Sequence, residues 1–477
     1  MLVAALAARA GGQAPATPDW IERRLTLPLV GSETAYIPRT AASQVAVFLS
    51  GDGGWNLGVI DMARRIVPRA IVVGISYPAM QKAAGAGTTC WYPAGDLEVI
   101  SRAAQKQLGL PEYRAPILVG YSSGASAVYA ALAAAPPTTF AGGLSLGFCP
   151  ELTTGRPVCS AGGWRPAYDE KKHISRLPPM SALPHDWHIL QGVQDQVCPF
   201  DAAKTFLADV PRAELIPIEG TGHGFARTAR WAPAFDRSIE SLLKSAEPVP
   251  APRPPAVPAM SDLERSLDAL GLPLVYRWAD APRAFVVFLS GDGGWAAIDE
   301  GISRVLVERQ IGVVGLNSLR YFWKKKDPAQ VGGDLRHITA AIGGRGIPIF
   351  GGGYSFGAGV LPAALTGWPA ADRDVIAGLL LVSPGSSTEF EVSPLDWIRA
   401  APVDPNARVT PVLRALARPT LCLAGSDETE GACLEATSLP GAQIVRLPGS
   451  HHYRGDYAKV GAAIGDFIDR QLAVRQR

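Results

Sequence analysis

Two serines in this chain stand in the pattern Gly-x-Ser-x-Gly. They are Ser355, in Gly353-Tyr354-Ser355-Phe356-Gly357, and Ser122, in Gly120-Tyr121-Ser122-Ser123-Gly124. A serine hydroxyl attacks a carbonyl only when a base takes its proton. An imidazole does this near neutral pH, and a carboxylate holds the imidazole in the useful tautomer. Each half of the chain supplies these groups in the order Ser, Asp, His: Ser355, Asp427 and His451 in the second half, Ser122, Asp195 and His223 in the first. Glu428 and Glu430 compete with Asp427, and His452 competes with His451. Matching Asp195 with Asp427 and Phe225 with Tyr453 selects Asp427 and His451, with His452 as the alternative base. The chemistry such a set performs is acyl transfer through serine.

Each serine also has the right surroundings. Apolar runs at Pro116–Val119 and Ile347–Gly352 read as buried strands, and the small apolar run Ala358–Leu365 reads as the start of a helix. A serine between strand and helix sits in a tight turn above a helix N-terminus, and the flanking glycines remove the Cβ atoms that would collide there. This is the nucleophile elbow of α/β-hydrolases. An oxyanion hole needs two backbone N–H groups. One is expected from Phe356 or Ser123, the residue after each serine. The other is expected from the loop Gly-Asp-Gly-Gly-Trp, at Asp292 and Gly293 or at Asp52 and Gly53. Substrate contacts are expected from Tyr354, Trp295, Tyr321, Trp323 and Lys324. The last three belong to Tyr321-Phe322-Trp323-Lys324-Lys325-Lys326, where aromatic rings beside lysines suit a polar–apolar boundary and an anionic surface. A solvated basic loop anchored by core aromatics is the competing reading. The first half has Tyr77-Pro78-Ala79-Met80-Gln81-Lys82 there, so the two pockets should differ.

The elements that must position these groups occur twice. Phe288 to Trp295 repeats Phe48 to Trp55 residue for residue at an offset of 240, the elbow serines are offset by 233, Asp195 and Asp427 by 232, and His223 and His451 by 228. A slowly shrinking offset with order kept is the trace of an internal duplication. Strand signals at Gln44–Ser50, Arg69–Ile75, Ala141–Leu146, His188–Gly192 and Ala213–Ile218 alternate with helical patterns such as Asp96–Leu108. The expected fold class is α/β: two tandem α/β-hydrolase-like domains, each a mostly parallel sheet flanked by helices. The boundaries read as 19–246 and 261–477. Between them lies a linker over 247–260, whose stretch EPVPAPRPPAVP holds six prolines and is stiff and extended.

Composition bounds the rest. A chain of 477 residues, 47% hydrophobic and 18% charged, can bury substantial cores. Lys and Arg number 45 against 43 Asp and Glu, which gives no electrostatic case for nucleic-acid binding. Residues 1–18 are alanine-rich, then Pro/Thr-containing, and read as a leader segment without a basic start. No later run is apolar enough for long enough to span a bilayer. Six cysteines, with Cys422 near Cys433, Cys149 near Cys159, and Cys90 and Cys198 remaining, suit local disulfides in an oxidising compartment. No spacing suggests zinc, and the chemistry calls for no metal or organic cofactor.

Together Phe288–Trp295, Ser318-Leu319-Arg320-Tyr321-Phe322-Trp323, Gly353–Ala358, Phe390-Glu391 and His451-His452 resemble the VirJ/AcvB family of bacterial virulence proteins. VirJ resembles the second half alone and AcvB the whole two-unit chain. The resemblance implies a periplasmic α/β-hydrolase. It implies hydrolysis of aminoacylated phosphatidylglycerol such as lysyl-phosphatidylglycerol, with Ser355 as nucleophile, His451 as base and Asp427 as its orienter. The implied partners are an aminoacylated anionic phospholipid at a membrane surface, reached without a spanning helix, and secretion-system proteins. An interaction protein on an inherited hydrolase fold and an esterase for soluble esters are the competing functions. The first half departs from a one-site scheme by keeping a full set around Ser122.

Overall fold

The computed structural model describes residues 18–475 apart from 41, 43, 85–89, 162, 247–259, 345, 393–406 and 436–440. The leader expected over 1–18, except Pro18, and the linker expected over 247–260, except Met260, therefore lie outside the described residues. Met260 itself is buried in the core of the second unit.

The first unit contains strands β1 (Trp20–Leu27), β2 (Gly31–Pro38), β3 (Val45–Leu49), β4 (Ile71–Ile75), β5 (Ile117–Tyr121), β6 (Gly142–Leu146), β7 (Glu151–Thr153), β8 (Ala167–Asp169), β9 (Ile174–Arg176), β10 (Trp187–Gly192) and β11 (Ala213–Ile218). The second contains β12 (Leu274–Arg277), β13 (Ala284–Leu289), β14 (Ile311–Leu316), β15 (Ile349–Tyr354), β16 (Ile376–Val382), β17 (Thr420–Gly425) and β18 (Ala442–Leu447). Sheet orders are β1-β2-β4-β3-β5-β6-β10-β11 and β12-β14-β13-β15-β16-β17-β18. From β4 to β11 and from β14 to β18 every pairing is parallel, in the same order. Antiparallel strands β1, β2 and β12 finish one edge of each sheet. The duplication read from the offsets is thus a duplication of topology.

The parallel strands read as continuous apolar runs because helices cover both faces. Val45–Leu49 and Ile311–Leu316 are buried along their whole length. Layers of apolar side chains lie on the two faces of each sheet. The tryptophan of each Gly-Asp-Gly-Gly-Trp loop belongs to this packing. A Cβ on Gly315 would fall 2.0 Å from the Trp295 ring, and one on Gly74 would fall 2.1 Å from Trp55. The chain leaves β3 for β4 on one side and returns to β5 on the other, so the loops after β3 and β5 splay apart. The loops after β13 and β15 do the same. That switch point is where open α/β sheets bind ligands.

The first unit carries an insertion after β6. Strands β7, β9 and β8 form a small antiparallel sheet there, which periodicity did not reveal because each strand has three residues. The disulfides are Cys90–Cys159, Cys149–Cys198 and Cys422–Cys433. The expected Cys149–Cys159 pairing is therefore wrong. Closeness in sequence was the guide, and the insertion carries Cys159 away to Cys90.

The units dock on one another. The Trp323 indole N–H donates to the Leu110 carbonyl at 3.0 Å, and Lys106 Nζ lies 2.6 Å from Glu391 Oε1. The Tyr113 and Trp323 rings are 5.4 Å apart, and Arg320 lies 3.7 Å from Glu112. A cavity of about 1160 Å³ opens between the units, lined by Arg114, Arg277, Arg304 and Glu300 among others, away from both elbow serines.

One buried carboxyl gives the second unit a pH signature. Asp299 caps the helix Ala297–Glu308, its Oδ2 accepting the Ala296 N–H at 2.8 Å, and only 1% of the residue is exposed. Burial pushes it up to about 8, against the hydrogen bond from Ala296. The folded state keeps this proton where the unfolded chain has released it, so the stabilising contribution falls from about pH 4 to about pH 8. Asp299→Asn, which still accepts from Ala296, should flatten that slope. The unfolding free energies from urea titrations at pH 5 and pH 8 should then converge, by an amount up to roughly 1.4 kcal/mol for each pH unit of the window.

Candidate active site

Both elbows are built alike. Ser122 has φ 55° and Ser355 has φ 51°, a region that residues other than glycine rarely enter. Each is followed directly by a helix, Ser123–Ala134 or Phe356–Thr366. A Cβ on Gly357 would lie 2.3 Å from the Leu289 carbonyl oxygen, and one on Gly124 would lie 2.4 Å from that of Ser50. These glycines let the helix start press against the end of the neighbouring strand, which aims the hydroxyl out of the sheet.

In the first unit Ser122 Oγ lies 2.9 Å from His223 Nε2, and His223 Nδ1 lies 2.8 Å from Asp195 Oδ2. Asp195 is buried, and its Oδ1 accepts the N–H groups of Val197 and Cys198 at 2.9 and 2.8 Å. Gln191 Nε2 donates to Oδ2 at 3.3 Å. The disulfide Cys149–Cys198 ties this acid loop to the chain leaving β6.

In the second unit Ser355 Oγ lies 2.8 Å from His451 Nε2. The carboxylate on His451 Nδ1 is Glu428, at 2.7 Å from Oε1, and not the expected Asp427. Asp427 is exposed; its Oδ1 accepts from Ser426 Oγ, and Arg454 lies 3.8 Å away. Glu430 is exposed as well. The reason is register. Both acid loops leave their strand at a glycine, Gly192 or Gly425, and the acid stands three residues later in each. Counting from those glycines finds Glu428, at the same offset of 233 as the serines. Burial would raise the Glu428 carboxyl, but hydrogen bonds from His451 and the Gly425 N–H, and the His451 charge, hold it below the ordinary carboxylate range. Its Oε2 accepts from Gly425 N at 2.6 Å and Ser383 Oγ at 3.0 Å. The Cys422–Cys433 disulfide closes the loop that contains it.

The alternative base, His452, faces away from the serine, with Nδ1 3.1 Å from the Tyr354 hydroxyl. Tyr354 is buried beneath the two histidines rather than facing substrate. Its hydroxyl donates to the His451 carbonyl at 3.2 Å, as Tyr121 does to His223 at 3.1 Å. The tyrosine of each Gly-Tyr-Ser motif thus fixes the loop that delivers the base. Three more expected substrate contacts are also buried. Trp295 packs on Gly315 and donates to Glu300 at 2.8 Å, Tyr321 bonds Asp334, and Trp323 lies under the first unit. Lys324 remains exposed beside Lys325.

Phe356 and Ser123 are first residues of their helices, whose leading N–H groups have no partner within the helix. The loops holding Asp292 and Gly293, or Asp52 and Gly53, leave the strands β13 and β3, which pair with the strands that carry the serines. A Cβ on Gly51 would approach the Ser122 Cβ to 3.0 Å, and one on Gly291 would come 3.8 Å from that of Ser355. Both oxyanion loops therefore run directly past the nucleophiles. The sites differ beyond this. Asp52 accepts from Ser123 Oγ at 2.5 Å, whereas Phe356 stands at that position in the second unit and packs on Phe322 at 5.1 Å. Either set can move a serine proton to an imidazole, hold the imidazolium against a carboxylate, and return the proton to a leaving group.

Residues 283–472 match the family model of the bacterial virulence protein VirJ. No curated protein matches the chain. Similar solved structures include the esterase domain of a Rhodothermus marinus protein, with 13% identity over 47% of this chain and 98% of that one, at a TM-score of 0.32. A serine hydrolase without lid from Xanthomonas campestris shows 19% identity over 49% and 96%, at a TM-score of 0.30. A puromycin-hydrolysing peptidase from Mycobacterium tuberculosis shows 14% identity over 48% of this chain, at a TM-score of 0.33, and the match spans 39% of the peptidase's length. Among the described residues no helix is long and apolar enough to cross a membrane. Of the two α/β-hydrolase-like units in this chain, the second is the one that is similar to the bacterial virulence protein VirJ.

Proposed function

We propose that the chain is a serine esterase that removes the aminoacyl group from aminoacyl-phosphatidylglycerol, such as lysyl-phosphatidylglycerol, at a periplasmic membrane surface. The observation that carries this reading is the run Ser355–His451–Glu428, at 2.8 and 2.7 Å, in the VirJ-family unit. Ser355 Oγ attacks the ester carbonyl and passes its proton to His451 Nε2. Collapse of the tetrahedral adduct breaks the ester C–O bond, and His451 returns the proton to the glycerol oxygen. Water then releases the amino acid from Ser355 by the same path. Exposed Lys324 and Lys325 offer a cationic edge for the lipid phosphate, and Phe356 and Phe390 an apolar one for its glycerol and chains. Secretion-system proteins remain further partners in this proposal.

The test is turnover of lysyl-phosphatidylglycerol in vesicles by Ser355→Ala and Ser122→Ala. Ser355→Ala should lose at least ~10³-fold in kcat, the scale of deleting a triad nucleophile. Full turnover by Ser355→Ala together with its loss in Ser122→Ala would place the lipid chemistry in the first unit instead. Turnover of soluble esters but not the lipid would favour a general carboxylesterase.

A further inference from the structure

The aromatic wall beside Ser355 is made by two loops stitched together. The Lys326 N–H donates to the Phe390 carbonyl at 2.9 Å, and the Val392 N–H donates to the Phe322 carbonyl at 3.0 Å. Between them the Phe322 ring lies 5.1 Å from Phe356, the residue after the nucleophile, and 6.5 Å from Phe390. The first unit grips each loop one residue from its phenylalanine. Trp323, next to Phe322, is held by the Leu110 carbonyl, the Tyr113 ring and the Lys106 ammonium, which sits 5.0 Å over the indole. Glu391, next to Phe390, is held by that same ammonium at 2.6 Å. Lys106 thus bridges both loops with one charge. The helix that carries it, Pro93–Leu108, also bears the buried pair Glu98 and Arg102, and both feel the charge of Asp292 in the oxyanion loop.

We propose that the first unit is a clamp on the Ser355 centre: Lys106 and Tyr113 act as positioning residues that set the apolar wall of Phe322, Phe356 and Phe390, and through it the size of apolar group the centre accepts. The stitching transmits the grip. A shift of Trp323 or Glu391 moves Phe322 or Phe390, and Phe356 has no second aromatic neighbour among the described residues to hold it. The proposal rests on the serine-esterase reading of this centre but not on the lipid assigned to it.

The measurement is the labelling rate at Ser355 by short-chain and long-chain alkyl fluorophosphonates, in a full-length Ser122→Ala chain. The ratio of the two rate constants should change by about threefold or more in Lys106→Ala and further in Lys106→Ala with Tyr113→Ala, the scale of losing a packed or charge-assisted contact. Lys106→Arg, which keeps the cation over Trp323, should return the ratio towards its starting value. Unfolding midpoints identify any variant whose second unit has loosened as a whole. A folded variant whose two labelling rates fall together, or stay fixed, overturns the clamp. Absence of any labelling at Ser355 overturns the esterase reading itself, a different outcome from an unchanged ratio.

Discussion

Glu428→Gln should lower kcat/KM at the Ser355 centre by roughly 10³–10⁴-fold, the penalty seen when a triad acid becomes an amide. Glu428 accepts a proton-bearing Nδ1 from His451, which leaves Nε2 free to take the proton of Ser355. A glutamine amide in that place donates as readily as it accepts. It stabilises the tautomer with the proton on Nε2, which cannot act as base. It also withdraws the charge that balances the imidazolium. Asp427→Asn should stay within about threefold of the parent, because an exposed side chain bonded to its neighbour Ser426 and loosely paired with exposed Arg454 carries little. Both are read with a chromogenic ester in a Ser122→Ala chain, so that the first centre contributes nothing. If Asp427→Asn is the crippled variant, the acid loop rearranges on substrate binding and Glu428 has been assigned the wrong role.

The second large effect is on folding. Gly357→Ala places a methyl 2.3 Å from the Leu289 carbonyl oxygen and 2.5 Å from that of Ser290, both backbone atoms at the end of β13. Neither a rotamer change nor a side-chain shift relieves that contact, so the helix Phe356–Thr366 must lift from the sheet. A loss of at least about 3 kcal/mol is expected, the upper range for overpacking a core. Gly367→Ala, at a glycine with open space where its Cβ would stand, is the control and should leave the urea midpoint almost unchanged. A Gly357→Ala chain as stable as its parent would mean that the elbow is looser than its packing indicates.

Much of the site was legible because its signals are local. Gly-Tyr-Ser-x-Gly between apolar runs states its own turn, and its recurrence locates the paired histidines by order alone. The acid was legible only in part. Asp427 looks like Asp195 by residue type, yet the backbone counts from the strand-ending glycine, and that count lands on Glu428. Residue type was the weaker guide, since either acid can orient an imidazole. The loop Tyr321 to Lys326 allowed two readings, and its rings follow the competing one: they are core aromatics that anchor an exposed basic loop. Its rings and charges suit a membrane edge, but what covers Trp323 is Leu110 and Tyr113, some two hundred residues away, and composition carries no record of that contact. Cysteine pairing failed likewise, because sequence distance was taken for spatial distance.

The cystine between Cys422 and Cys433 encloses the segment that presents Glu428, and the one at Cys198 sits three residues beyond Asp195. Thiol chemistry is therefore wired to the general-base machinery of both halves. Protein made where glutathione keeps sulfurs reduced would hold its serines and imidazoles but present each acid on a slack tether. Recombinant material should accordingly be produced by export, or refolded under air, before its specific activity means anything.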